Sequence, residues 1–220
     1  AADHDTVIVV RNKTNPETVT KLLHADPIVE IEDIVRVGDV IGTTLRSGYY
    51  GRGTSAHFHA EIRKPEDSIR ARGGFNLRRI DESVGDPQEE IEGEVVVSRV
   101  EYIMIRVSNT NTGLVGSVEG SPAILDGGIP YYGWMGAHLP NPPRKGEIKL
   151  LGKSVADVTE VYEGACIGVC NRYSFSVDGE PIVGLALSLQ PRSEALVKVL
   201  YGRQAVRPNV GDWLEVTLNV

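Results

Sequence analysis

Two imidazoles offer the most specific chemistry in this chain. His57 and His59 stand in the run His-Phe-His-Ala-Glu-Ile-Arg at 57–63, alternating with Phe58 and Ala60. On an extended strand, alternate side chains share a face. His57, His59 and Glu61 then point one way, and Phe58, Ala60 and Ile62 point the other, into a core. Neutral imidazole is a good zinc ligand, and its pKa near neutrality suits acid–base work. Burying two unpaired imidazoles together is costly, so the pair should face water, a metal or hydrogen-bond partners.

The segment before the pair, Gly48-Tyr-Tyr-Gly-Arg-Gly-Thr-Ser55, is rich in glycine. Such a loop turns tightly and lets backbone approach a ligand closely. Tyr49, Tyr50, Thr54 and Ser55 are its candidate substrate-binding residues, and either hydroxyl of the last two could also orient an imidazole. Further upstream, His24 sits in Leu23-His24-Ala25.

In order, these pieces are Val35-Arg-Val-Gly38-Asp39, Ile41-Gly42, the glycine-rich loop and Ser55-Ala-His-Phe-His-Ala-Glu-Ile-Arg63. That order resembles the lysostaphin/LytM-type zinc peptidases, the M23 family. The likeness covers roughly residues 5 to 80; Phe58 and Ala60 depart from the usual Leu and Phe. The resemblance implies an antiparallel β-sheet or barrel-sandwich domain, zinc as cofactor, and a peptide or peptide-containing polymer as partner. By position it makes His59 a metal ligand, and places His57 and His24 beside the metal as catalytic residues that activate water or stabilise the oxyanion.

The family's His-x-x-x-Asp motif has no counterpart, because no His here is followed four residues later by Asp. His59 alone falls short of the roughly three protein ligands a catalytic zinc needs. The functional expectation is therefore a peptidase-like protein with an incomplete zinc site, a non-catalytic or truncated scaffold for binding or assembly. The alternative is an active zinc peptidase whose further ligands lie outside this chain, for instance in an upstream segment. Donors from the second half are a third source. There Ile129-Pro-Tyr-Tyr-Gly-Trp-Met-Gly-Ala137 echoes the missing motif's spacing, but places Tyr131 and Met135 at the ligand positions. An aromatic turn packed on a core explains the same residues.

Other chemistries fit less well. His59-Ala60-Glu61 matches the His-x-Glu of zinc deaminases, but Cys166 and Cys170 have the wrong spacing for their partner motif. Lipoyl and biotinyl carrier barrels share the Val-x-x-Gly-Asp turn, but neither Lys64 nor Lys153 has the hairpin-tip setting they require.

The elements that must hold these residues are strands. Val7–Val10, Ile28–Ile34, Val35–Ile41, His57–Ile62, Val95–Val107 and Leu214–Val220 are rich in β-branched residues and bounded by Gly, Asp and Pro. Turn chemistry marks Gly38-Asp39, Asp126-Gly127-Gly128 and Asp178-Gly179. Two short helices are expected, at Pro16–Leu23 with Asn15 as cap and at Ser193–Tyr201. The fold class is all-β: an M23-like first half and a second β-rich domain with at most one or two short helices. Asp81–Glu94 is acidic and nearly devoid of apolar residues. The expected division is residues 1–85, an acidic linker at 86–92, and residues 93–220.

The 220 residues carry a net charge of −7 and are 41% hydrophobic. That argues against disorder and against nucleic-acid binding. The basic run Arg63, Lys64, Arg70, Arg72, Arg78 and Arg79 reads as a solvated face. No apolar run approaches the ~20 residues of a membrane span. The cysteines, Cys166 and Cys170, exclude a four-Cys zinc site and a disulfide framework, and read as buried thiols.

Overall fold

A computed structural model describes residues 2–47, 56–77, 84–108, 112–190, 194–202 and 205–220. The chain divides into two compact units, Ala1–Arg79 and Ile80–Val220. The architecture is all-β, with one 3₁₀ turn at Pro65–Asp67 and no α-helix among the described residues.

The first unit holds β1 (Val7–Arg11), β2 (Val19–Leu23), β3 (Ala25–Pro27), β4 (Gly42–Thr44) and β5 (His59–Arg63). They form an antiparallel sheet in the order β1-β2-β5 and a separate β3-β4 ladder. Pro16–Leu23 is thus not a helix. Asn15 accepts from the Thr18 amide at 3.0 Å and from the Thr18 hydroxyl at 2.9 Å, closing a turn with Pro16 at its second position. Asn and Pro suit a turn as well as a helix start. β-Branched Val19 and Thr20 then pair on both sides, with β1 and β5.

Ile28–Ile34 and Val35–Ile41 are not strands either. Two carboxylates fold the segment into consecutive turns. Asp33 accepts from the Glu30 amide at 2.8 Å, and Asp39 from the Arg36 amide at 2.7 Å. Side-chain capping of this kind competes with ladder hydrogen bonds. It leaves Ile31, Ile34 and Val37 exposed.

The buried side of the β1-β2-β5 sheet is also unlike the expectation. Phe58 and Ala60 are exposed and Ile62 is only half-buried, whereas Val19, Lys21 and Arg63 are buried. Register sets Lys21 opposite Glu61 and Val19 opposite Arg63, so the sealed face is the polar one. Arg63, taken above for part of a solvated basic face, is fully enclosed. It donates to Glu61 Oε2 at 2.5 Å, Asp67 Oδ2 at 3.0 Å, the Arg72 carbonyl at 3.1 Å and the Gly73 carbonyl at 3.0 Å. Lys21 Nζ reaches the Arg70 carbonyl at 3.0 Å and Glu61 Oε1 at 3.5 Å. Buried charges persist only when paired and hydrogen bonded in this way.

The second unit runs through β6 (Ile91–Ser98), β7 (Tyr102–Val107), β8 (Val115–Val118), β9 (Ser121–Ile129), β10 (Trp134–His138), β11 (Glu147–Leu150) and β12 (Lys153–Tyr162). It continues through β13 (Ala165–Cys170), β14 (Ser174–Val177), β15 (Glu180–Ile182), β16 (Gly184–Leu187), β17 (Leu196–Leu200) and β18 (Trp213–Asn219). The ladder β10-β13-β12-β11-β8-β9 closes on itself through a β9–β10 pairing, giving a six-stranded barrel. From β9 the sheet continues as β16-β17-β7-β6-β18-β14-β15.

β9 serves both parts. Its middle pairs with β10, and Gly127–Ile129 pairs with β16. The crossing point is Gly127-Gly128, which sits inside the strand rather than in the expected turn. Gly127 has φ of +115°, and a Cβ on Gly128 would lie 2.4 Å from the Tyr131 ring. Two glycines let one strand bend between sheets.

Alternation builds the core. In β18, Leu214, Val216 and Leu218 are buried while the intervening residues are exposed. Ser193–Tyr201 was expected as a helix, yet β17 alternates in the same manner. Val197 and Val199 face inward, and the strand is paired on both flanks, with β16 and β7. Gln88 exchanges hydrogen bonds with Val115, and Ile91 and Glu92, read as the end of the linker, open β6. Cys166 is buried and Cys170 partly so, both as free thiols, and burial pushes both pKa values up.

Candidate functional site

His59 opens β5, opposite Leu23 at the end of β2. The residue after Leu23 is His24. Its φ of 66° turns the chain out of the strand, a conformation that non-glycine residues adopt rarely and that needs support from its surroundings. That support is present on both sides. The His24 amide donates to the Thr6 carbonyl at 3.3 Å, and the His24 carbonyl accepts from Leu45 at 2.7 Å. Register and turn together bring three rings into one group. The centroid of His24 lies 4.8 Å from His59 and 5.7 Å from His57, and His57 lies 5.1 Å from His59.

Asp5 completes the cluster. Its Oδ2 lies 2.6 Å from His24 Nδ1 and 3.2 Å from the donating Ser47 hydroxyl, while Oδ1 accepts from the Thr6 amide at 2.9 Å. Burial pushes the Asp5 carboxyl up, but the Thr6 amide, His24 and Ser47 outweigh it and hold the pKa below the ordinary value. An ionised carboxylate at Nδ1 fixes a proton there and orients the ring. His24 and Ser47 are both buried.

His59 is less basic than an ordinary histidine. Partial desolvation of its ring, on a residue that is exposed overall, is the main cause, followed by the neighbouring His24 and His57; Glu61 and Asp5 pull the other way. Neutral His59 can accept or donate one hydrogen bond on each side, or bind a metal through a lone pair. Glu61, on the same face, is engaged elsewhere. Burial raises its pKa, but Arg63 and Lys21 outweigh that and hold it low. Glu61 therefore ties β5 to Arg63 and Lys21.

The structure brings the predicted His24, His57 and His59 together. The predicted substrate-binding residues Tyr49, Tyr50, Thr54 and Ser55 lie outside the described residues. Among the described residues, no group of three or more His, Cys, Asp or Glu is placed to hold a metal ion. The Asp5 contact at His24 Nδ1 does not itself bar a metal from that ring, since metal-ligating imidazoles commonly carry a carboxylate on the other nitrogen.

In the second unit, Met135 is fully buried, and the Tyr131 ring lies over Gly128 with burial pushing its pKa up to about 12. Both positions of the echoed motif pack against the core.

Residues 1–79 match a family described as Domain of unknown function (DUF8155) N-terminal domain, and residues 88–219 match Domain of unknown function (DUF8155) C-terminal domain. The chain belongs to the DUF8155 family. The end of the first DUF8155 match coincides with the end of the first structural unit at Arg79. No curated protein and no solved structure matches the chain.

Asp5 and Ser47 of this DUF8155 chain were missed in the sequence. The register of β1 with β2 pairs Val7 with Leu23. Continuing it outward sets Thr6 against His24 and brings Asp5 alongside. Reading Pro16–Leu23 as a helix hid that hairpin and, with it, the carboxylate.

Proposed function

We propose that the N-terminal unit is an M23 peptidase-like scaffold that binds a peptide or peptide-containing polymer at the His24–His57–His59 cluster, without a complete zinc centre of its own. The convergence of the three rings to within 4.8–5.7 Å carries this reading. These are the positions at which the resemblance implies two catalytic histidines and one metal ligand. Their chemistry suits peptide backbone. Asp5 holds the His24 ring in place. Neutral His59 offers one donor and one acceptor, the complement of a peptide group.

The low basicity of His59 favours a second reading, an active zinc peptidase with further ligands from outside this chain, because metal ligation requires neutral imidazole. Zinc bound there would supply an activated water.

Zinc content, peptide cleavage and imidazole NMR shifts on the purified chain, with a mixed pool of short peptides, separate the two. The scaffold reading expects little zinc, no cleavage, and shift changes at all three histidines on peptide addition. About one zinc per chain, lost in His59→Ala and accompanied by cleavage, would establish the second reading. Silent imidazoles with no zinc would remove both.

A further inference from the structure

The barrel of the second unit carries a separate arrangement on its outer surface. Met135 and Ala137 of β10 are fully buried, so Trp134, Gly136 and His138 lie on the outward face of that strand. Asp126 of β9 stands directly opposite Gly136. Its Oδ2 lies 3.4 Å from His138 Nε2. Both side chains reach solvent, with 44% of Asp126 and 27% of His138 exposed.

Gly136 leaves a shallow floor between Trp134 and His138. A methyl group there would lie 3.6 Å from Asp126 Cβ and 3.9 Å from His138 Nε2, in ordinary contact. Trp134 is half exposed, and the Tyr132 ring lies alongside it, centroids 6.0 Å apart with planes inclined by 21°. Val169, exposed, sits opposite Trp134 on β13.

We infer that this face binds a neutral carbohydrate chain. A pyranose has an apolar face of C–H groups and a rim of hydroxyls. Trp134 supplies a large, flat apolar surface for the first. Asp126, opposite Gly136 and so one strand-repeat from Trp134, accepts from hydroxyls, and His138, two repeats away on the same face, both donates and accepts. Other occupants match less well. The chain's net charge of −7 and the Asp126 carboxylate beside the rings oppose a phosphate backbone. A purely apolar peptide would cover Asp126 and His138 without satisfying them. Tyr131 is excluded from contact, since its ring is committed to Gly128. The site lies within the second unit and does not rest on the histidine cluster.

The test is calorimetric titration of the full chain with cellotetraose, chitotetraose and mannotetraose. The inference expects saturable binding of at least one of them, with a Kd of about 1 mM or tighter. Trp134→Ala should weaken it by about tenfold or more, as loss of an aromatic anchor does. Asp126→Asn should weaken it less, and Trp213→Phe, which alters the other tryptophan, should leave it unchanged. Circular dichroism checks each fold; if Trp134→Ala misfolds, Asp126→Asn decides. Failure of all three sugars to bind, unchanged affinity in the deciding variant, or stronger binding of an oligonucleotide or a proline-rich peptide would overturn the inference.

Discussion

The Asp5 carboxylate meets His24 Nδ1 at 2.6 Å, joining the segment before the first strand to the residue that follows the second. This contact explains how a histidine with φ of 66° keeps one orientation beside two other imidazoles. It also makes Asp5 the residue whose loss should disturb the cluster most without touching a ring.

Asp5→Asn keeps the shape and removes the charge. Hydrogen bonds to charged groups are worth about 1.5–3 kcal/mol, and part of that is screened here because the side chain is partly exposed. Urea unfolding at neutral pH should show a loss of about 1–2 kcal/mol. Nitrogen NMR should show His24 redistributing between its two tautomers.

Arg63→Met addresses the enclosed guanidinium of β5. Removing it leaves Asp67 Oδ2 and the carbonyls of Asp67, Arg72 and Gly73 without that donor, and Glu61 with Lys21 alone. Breaking such a buried network costs about 3–5 kcal/mol. Amide exchange in β2 and β5 should accelerate by orders of magnitude while the barrel amides keep their protection.

Gly93→Ala tests the packing of β6 on β7. The added Cβ would lie 2.0 Å from the Arg106 carbonyl oxygen, which is backbone and cannot rotate away. Overpacking of this kind costs about 1–3 kcal/mol or more. Gly202→Ala is the control, because nothing lies within 4 Å of its new Cβ. Thermal melts should show a clear drop for the first and almost none for the second.

Among the groups that bind protons less readily in the folded chain than in the unfolded one are His59, Asp5 and Glu61. His59 is depressed below 6.5 and Asp5 below 3.8. For all three, the unfolded state takes up protons first as pH falls, so stability declines with acidification. The His59 part begins as pH drops through about 6.5, and the Asp5 and Glu61 part below about 4. His59→Gln should flatten the first decline and leave the second, measured as urea midpoints across pH.

The legible part of this chain was its alternation. Ile103, Ile105 and Val107, and Leu214, Val216 and Leu218, each alternate with more exposed residues and face inward, although the run read as one strand at Val95–Val107 divides into β6 and β7. His57 and His59 were legible as residue types at close spacing rather than by alternation, because β5 begins at His59, and Phe58 and Ala60 do not face a core. Ambiguity arose where one residue type serves two structures. Asn15-Pro16 opens a turn as readily as a helix, and Asp33 and Asp39 converted two apolar runs into capped turns. Asp5 and Arg63 were invisible because their roles depend on strand register and on a loop returning from residues 67–73. Closure of the barrel depends on the β9–β10 pairing, which no local pattern announces.

The clustering of three imidazoles is tested most directly by NMR titration of the histidine ring signals in the full chain and in His24→Gln and His57→Gln. His59 should titrate below 6.5 in the parent chain and shift upward in each variant, because His24 and His57 each lower it. A His59 titration that is ordinary, and indifferent to both substitutions, would mean that the three rings do not share a site.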